Sequence, residues 1–237
     1  MRRPMTGCGT AVLTDPEDFR VNLPGVDIDV VWTNRSDFRV RATWIEIGRL
    51  RMTQCNESAP RVALVTLAPG PIFISFPIRH QSPPIWNGLA VPCGEIVLHG
   101  CGDRVYQRTS EAGRWGVISV PSKDLAEFSR ALTHMAISRP AATKVLRPPS
   151  KVHAALVSLH KRACRLAETK PDIVVHGEVP RSLKEDLLYA LVNCLVGSES
   201  VELGALWCDT LIMGQLETEL ARSIGALNLS DASHFWE

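Results

Sequence analysis

The chain has 237 residues, 45% of them apolar and 22% charged, with a formal net charge of +1. That composition excludes a disordered, highly charged chain and provides a sizeable core. It also excludes a whole-molecule field able to gather nucleic acid or an acidic membrane surface, so any such contact needs a local basic patch.

Seven cysteines, at 8, 55, 93, 101, 164, 194 and 208, form no C-x-x-C pair and are dispersed. Scattered thiols in odd number fit a reduced, cytoplasmic protein better than a disulfide framework. Two arginines open the chain, but no apolar run of about 7 to 15 residues precedes Thr6-Gly7-Cys8, so no export signal is expected. The longest uncharged stretch, 62–78, holds Pro69, Gly70, Pro71 and Pro77 and falls short of the roughly 20 residues of a membrane span. No membrane partner is expected.

Up to about residue 121 the chain reads as short β-strands. DFRVRATW, RVALVTL, PIFISFPI, GEIVLHG, RVYQRT and RWGVISV are rich in Val, Ile, Phe and Trp and are separated by Pro, Gly, Asn or Ser, the pattern of a barrel or sandwich. Within 37–44, Phe38, Val40, Ala42 and Trp44 alternate with Arg39, Arg41 and Thr43. Period 2 therefore puts the arginines on the face away from the core. They could line a nucleic-acid groove, but Asp37 and Glu46 dilute the charge and favour a merely solvated face.

Beyond residue 121 the period becomes helical. Ser122 is placed to cap a helix carrying Leu125, Phe128 and Leu132. SRPAATKVLRPPS, 138–150, has three prolines and no periodicity, which predicts a linker between two packed units. Val152, Leu156, Leu159, Ala163 and Leu166 form the stripe of a second helix ending near Thr169-Lys170-Pro171. Pro180 opens a third, with Leu183, Leu187, Leu191 and Cys194 inward and Gly197 closing it. A last stretch with Leu203, Leu206, Trp207, Met213, Leu216 and Leu220 is interrupted by Gly204 and Gly214. The expected organisation is a β-barrel with one closing helix over 1–137, a linker at 138–150 and a helical region over 151–237, an α+β chain.

The segment GEIVLHGCGDRVYQRT, 94–109, sets two apolar runs around Gly100-Cys101-Gly102-Asp103 and so predicts a hairpin. His99, Cys101, Asp103 and Glu95 are the local metal-ligand supply, with His80 upstream. Metal-binding barrels generally place two ligands as His-x-His on one strand, and that pattern occurs nowhere in the chain. No metal site and no cofactor are expected. Cys101 has only Arg104 near it in sequence to stabilise a thiolate, so it reads as structural.

There is no G-x-S-x-G elbow, Ser75 and Ser119 lie inside strand-like runs, and neither phosphate-loop pattern is present. No catalytic residue is assigned, and an enzyme is not expected. A small-molecule pocket remains, lined by aromatic groups with a few polar anchors. Trp44, Phe73, Phe76 and Arg114 are eligible; the selected ligand-binding candidates are Trp86, His99, Arg104, Tyr106, Gln107 and Trp115.

In order along the chain, DFRVNLPGVDIDVVWT (18–33), FISFPI, GDRVYQRT, RWGVISVP, RALT, VLRPP, LHKRACRLAETKPDIVVHGEV and LLYALVNCL (187–195) resemble the amino-terminal part of AraC/XylS-type bacterial transcriptional regulators, over residues 13 to 217. The resemblance implies a cupin-related barrel that senses a small-molecule effector, linker helices that support a homodimer or pairing with a full-length relative, and a cytoplasmic location. Such regulators read DNA through a separate carboxy-terminal unit of about 100 residues with two helix-turn-helix motifs.

The tail ELARSIGALNLSDASHFWE echoes such a motif in Leu220-Ala221, Gly225 and Leu229-Ser230. Its spacing is long, and Arg222 is its only fixed cation, with His234 the other basic candidate. It reads as a divergent end, making the chain a truncated regulator or a stand-alone sensor, with no DNA-binding residue assigned. The alternatives are a cupin-like metal-dependent enzyme and a stand-alone small-molecule-binding protein.

Overall fold

The computed structural model describes residues 7–19, 25–33, 38–100 and 102–201, with the side chain of residue 17 excepted. The chain from Leu50 to Pro121 lays down eight strands: β4 (Leu50–Glu57), β5 (Arg61–Leu67), β6 (Pro71–Arg79), β7 (Ile85–Trp86), β8 (Leu89–Ala90), β9 (Ile96–Leu98), β10 (Arg104–Thr109) and β11 (Gly113–Pro121). They pair antiparallel as β4 with β11, β5 with β10, β6 with β9 and β7 with β8. This nested order is one long hairpin rolled on itself, the jelly roll that cupins share. Before it come β1 (Cys8–Leu13), β2 (Val26–Trp32) and β3 (Val40–Ile47); after it come β12 (Lys144–Arg147) and β13 (Glu199–Val201).

The strands divide into sheet A, β1-β3-β4-β11-β6-β9-β12-β13, and sheet B, β2-β5-β10-β7-β8. The α+β class, a cupin-like sandwich followed by helices, is the observed one.

Two local signals fix hairpins. Ile47 pairs with Leu50 across Gly48-Arg49, with Gly48 at φ 61°, as a type II′ turn requires of its first central residue. Trp86 pairs with Leu89 across Asn87-Gly88, at φ 47° and 81°, the Asn-Gly turn of type I′. That turn is docked on β10, where the Tyr106 N–H donates to Asn87 Oδ1 at 2.8 Å and the Asn87 N–H to the Tyr106 carbonyl at 2.8 Å.

Helices α1 (Ser122–Thr133), α2 (Ser150–Thr169), α3 (Pro171–Val175) and α4 (Val179–Val196) follow the jelly roll. Ile45, Met52, Ile74, Phe76, Ile118 and Val120 on the outer face of sheet A share one core with Leu125 of α1, Leu156 and Ala163 of α2, and Leu187 and Leu191 of α4. Between the sheets a second core gathers Phe19, Trp32, Phe38, Val40, Ala42 and Cys55. Sheet A is therefore covered on both sides.

The structure departs from the sequence-based expectation in several places. Residues 94–109 are not a hairpin: β9 lies in sheet A and β10 in sheet B. The glycine-rich reversal passes between layers and is braced by the Asp103 carboxylate, which accepts from the Gly100 N–H at 2.9 Å and from the Thr143 hydroxyl. The proline-rich 138–150 contains β12, which pairs with β9 and β13 in sheet A, so the described chain has no joint there. Proline flanks this strand but does not interrupt its ladder.

Ser122 is not a cap. Pro121 holds that position, and the Ser122 hydroxyl donates to the Gly70 carbonyl at 2.9 Å. Cys101 and the helical stretch expected over 203–220, with the tail beyond it, lie outside the described residues. Among those described, Cys8, Cys55, Cys93, Cys164 and Cys194 are free thiols, and no helix is long and apolar enough to cross a membrane.

Candidate functional site

Alternation along the strands decides which side chains enter the space between the sheets. In sheet B the inward set includes Ile28, Val30 and Trp32 of β2, Arg61, Ala63, Val65 and Leu67 of β5, Val105, Gln107 and Thr109 of β10, and Trp86 of β7, in cross-strand register. In sheet A it includes Trp44 of β3, Thr53, Cys55 and Glu57 of β4, Trp115 and Val117 of β11, and Ser75 of β6. Trp86, Gln107 and Trp115 therefore point inward, and buried His99, which follows β9, joins them. Arg104 and Tyr106 have the opposite phase on β10 and lie on the outer face of sheet B. The six candidates thus separate into four inside and two outside.

His99 is 3% exposed. Its Nε2 lies 2.8 Å from Ser75 Oγ, and the Trp86 ring stands 6.2 Å away, centroid to centroid, tilted by 34°. Burial pushes its pKa down to about 4 against the opposing field of Asp103, so the imidazole is neutral at physiological pH. Its Nδ1 is buried without a hydrogen-bond partner. The ring can donate or accept at Nδ1 according to how Ser75 sets its tautomer.

Toward one end of the interior a polar network clamps the two sheets. Arg61 Nε donates to Glu57 Oε2 at 2.9 Å, with both side chains at most 4% exposed. Trp115 Nε1 donates to Glu57 Oε1 at 2.6 Å, and Arg61 Nη2 to Gln107 Oε1 at 3.0 Å. The guanidinium carbon of Arg61 sits 5.9 Å from the Trp115 ring centroid. Arg61 Nη1 is left buried and unpartnered, as are Trp32 Nε1, Trp44 Nε1 and Thr53 Oγ1.

Sequence reasoning missed Glu57, Arg61, Ser75 and Thr53. The signal available was period 2 in LRMTQCNE, where Arg51, Thr53, Cys55 and Glu57 share a phase. Because sheet A is buried on both faces, neither phase of that strand stands out as the solvent side.

Among the described residues no three histidine, cysteine, aspartate or glutamate side chains converge. The imidazole of His99 faces a serine hydroxyl, and the Asp103 carboxylate is occupied by Gly100 and Thr143. What the walls offer is hydrogen-bond donors and aromatic faces in a setting where the Arg61 charge is already balanced by Glu57.

No protein-family model matches the chain, and no curated protein matches it. Among solved structures the chain is similar to the AraC-like transcriptional activator CuxR, at 14% identity over 77% of this chain and 65% of that one, with a TM-score of 0.49. It thus spans about 65% of the length of that activator. It is also similar to the Clostridium difficile EutQ protein, at 15% identity over 47% and 94% of the two chains with a TM-score of 0.29. A third is the E. coli protein Ylba, at 14% identity over 48% and 46%, with a TM-score of 0.21.

Proposed function

We propose that this chain is the effector-sensing part of an AraC-type transcriptional regulator: a small molecule enters between the sheets, and the helices relay its presence to a partner chain. The observation that carries the reading is the pair of buried, unpartnered nitrogens, His99 Nδ1 and Arg61 Nη1, on inward walls that also carry Trp86, Gln107 and Trp115. A buried polar atom without a partner costs about 1–3 kcal/mol. A ligand that supplies the missing hydrogen bonds recovers that cost. The order of motifs along the sequence supports the regulator class, and the jelly roll supports the sensor.

On this reading the chain is not an enzyme. The helices over residues 151–201 pair with a second copy or with a full-length relative, and contact with DNA belongs to the helix-turn-helix unit of such regulators. A thermal-shift screen of small metabolites on purified protein tests the sensor. The expected result is a compound that raises Tm and whose effect shrinks in Gln107→Leu and Ser75→Ala. A compound that acts equally on wild type and both variants, or stoichiometric iron, manganese or zinc on elemental analysis, counts against the reading.

A further inference from the structure

We propose that the outer face of sheet A beside α2 is a second binding site, one for phosphate groups. Arg41 of β3 pairs with Asn56 of β4, Asn56 with Arg114 of β11, and Arg114 with Arg79 of β6. The first three share the outward phase. Arg79 joins them because the β11–β6 ladder shifts register between Arg114 and Trp115, a bulge that turns it to the side of Arg114. At about 4.8 Å per strand, the row of three arginines and one asparagine spans about 14 Å.

Three observations make this row a site and not a solvated face. Among the described residues no carboxylate forms an ion pair with Arg41, Arg79 or Arg114; the carboxylate that α2 brings to this face, Glu168, accepts from the Thr43 hydroxyl. Glu46, which the sequence suggests as a diluting charge, faces the opposite side and is bound to Arg51 at 2.9 Å. Second, Arg114 is held in place: its Nε donates to Asn56 Oδ1 and it is half-buried, while Arg41 and Arg79 are exposed.

Third, α2 lies along the adjacent row Thr43-Gln54-Gly116-Phe76. It is tied there by Thr43 Oγ1 donating to Glu168 Oε1 at 2.7 Å and by His160 packed edge-on against Phe76 at 5.1 Å. Guanidinium groups set in a row suit phosphate oxygens, of which each can grip two.

Phosphate groups of this kind reach a protein either on a free phosphorylated molecule or along a nucleic-acid backbone, and two probes separate these sources. Fluorescence anisotropy with a labelled random-sequence DNA duplex and calorimetry with pyrophosphate are run on the full chain. The wild type is expected to bind at least one probe. Three arginine contacts to a duplex should weaken binding about 40-fold between about 50 and about 200 mM salt.

The charge reversal Arg41→Glu with Arg79→Glu, at two exposed positions, should lower affinity about tenfold or more, with Arg41→Gln/Arg79→Gln in between. The matched reversal Arg108→Glu with Arg130→Glu, on other exposed surfaces, should change it less than about twofold. Binding of pyrophosphate alone assigns a free phosphate source, and binding of the duplex assigns a nucleic-acid one. Binding of neither probe at low salt, or equal weakening by both reversals, overturns the site.

Discussion

At Arg61 and Glu57 the chain commits a charged pair to the space between two sheets, and that commitment makes each partner costly to remove. With either side chain truncated, the other keeps a buried charge without its counterion, a penalty of about 3–5 kcal/mol. Glu57→Ala and Arg61→Ala are therefore each expected to lower unfolding free energy by that amount in urea titrations. The double variant is expected to cost less than the sum of the two, because it leaves no orphaned charge.

His99 and His160 supply a second test at the same scale. Burial holds both near a pKa of about 4 in the folded chain, against about 6.5 when unfolded. Between those values the unfolded state binds more protons than the folded one, so stability is full above about pH 6.5 and falls as pH drops toward 4. Each histidine accounts for roughly 3 kcal/mol across that window. Denaturation midpoints measured from pH 7.5 down to pH 4.5 should fall steeply. In His99→Gln/His160→Gln the dependence should flatten, and a slope equal to wild type would assign it elsewhere.

These residues also mark where the sequence is readable and where it is not. His99 and Trp86 are legible because aromatic and imidazole side chains in strand-like runs announce a possible lining. Glu57 is not, because a glutamate that pairs across layers looks like any solvated glutamate until the partner strand is known.

Among the elements, the helices are the most legible. α2 and α4 end where Thr169 and Gly197 suggest, and Leu183, Leu187, Leu191 and Cys194 all turn inward. The seat of α2 on sheet A is less so, since it depends on Gly116, which reads as an ordinary strand glycine. A Cβ there would stand 2.7 Å from the Phe76 ring and 3.0 Å from His160 Cε1. Gly116→Val is expected to force α2 off the sheet at a cost of about 1–3 kcal/mol, the range for overfilled cores. The check is a lower Tm together with faster amide exchange along α2.

The misread hairpin at 94–109 belongs to this scale too. Turn chemistry identifies a reversal, but whether it joins neighbours in one sheet or crosses between layers is set by long-range pairing, here β9 with β6 and β12. The strand in 138–150 was hidden for a related reason. Its four residues, Lys144–Arg147, are too few to show a period, and the prolines around them carry the stronger local signal.

Over residues 7–201 the two cores share sheet A as a common wall, and this fixes how the chain should unfold. The outer face of that sheet is apolar from Ile45 and Met52 through Ile118 to Ile74, and its cover comes from helices that follow the jelly roll in sequence. A fragment ending at residue 137 keeps α1 but loses β12, α2 and α4. It should fail to form a stable monomer, leaving a large apolar patch open to aggregation. Expressed alone, it is expected to be insoluble or to bind an apolar dye and melt without a sharp transition. The intact chain should instead lose the tryptophan fluorescence of the inter-sheet core and the far-UV signal of the helices together, as one cooperative unit. A soluble, cooperatively melting fragment without dye binding would show that the sandwich and the helices are separable, and the proposed relay from an interior ligand to the helices would then lack its shared wall.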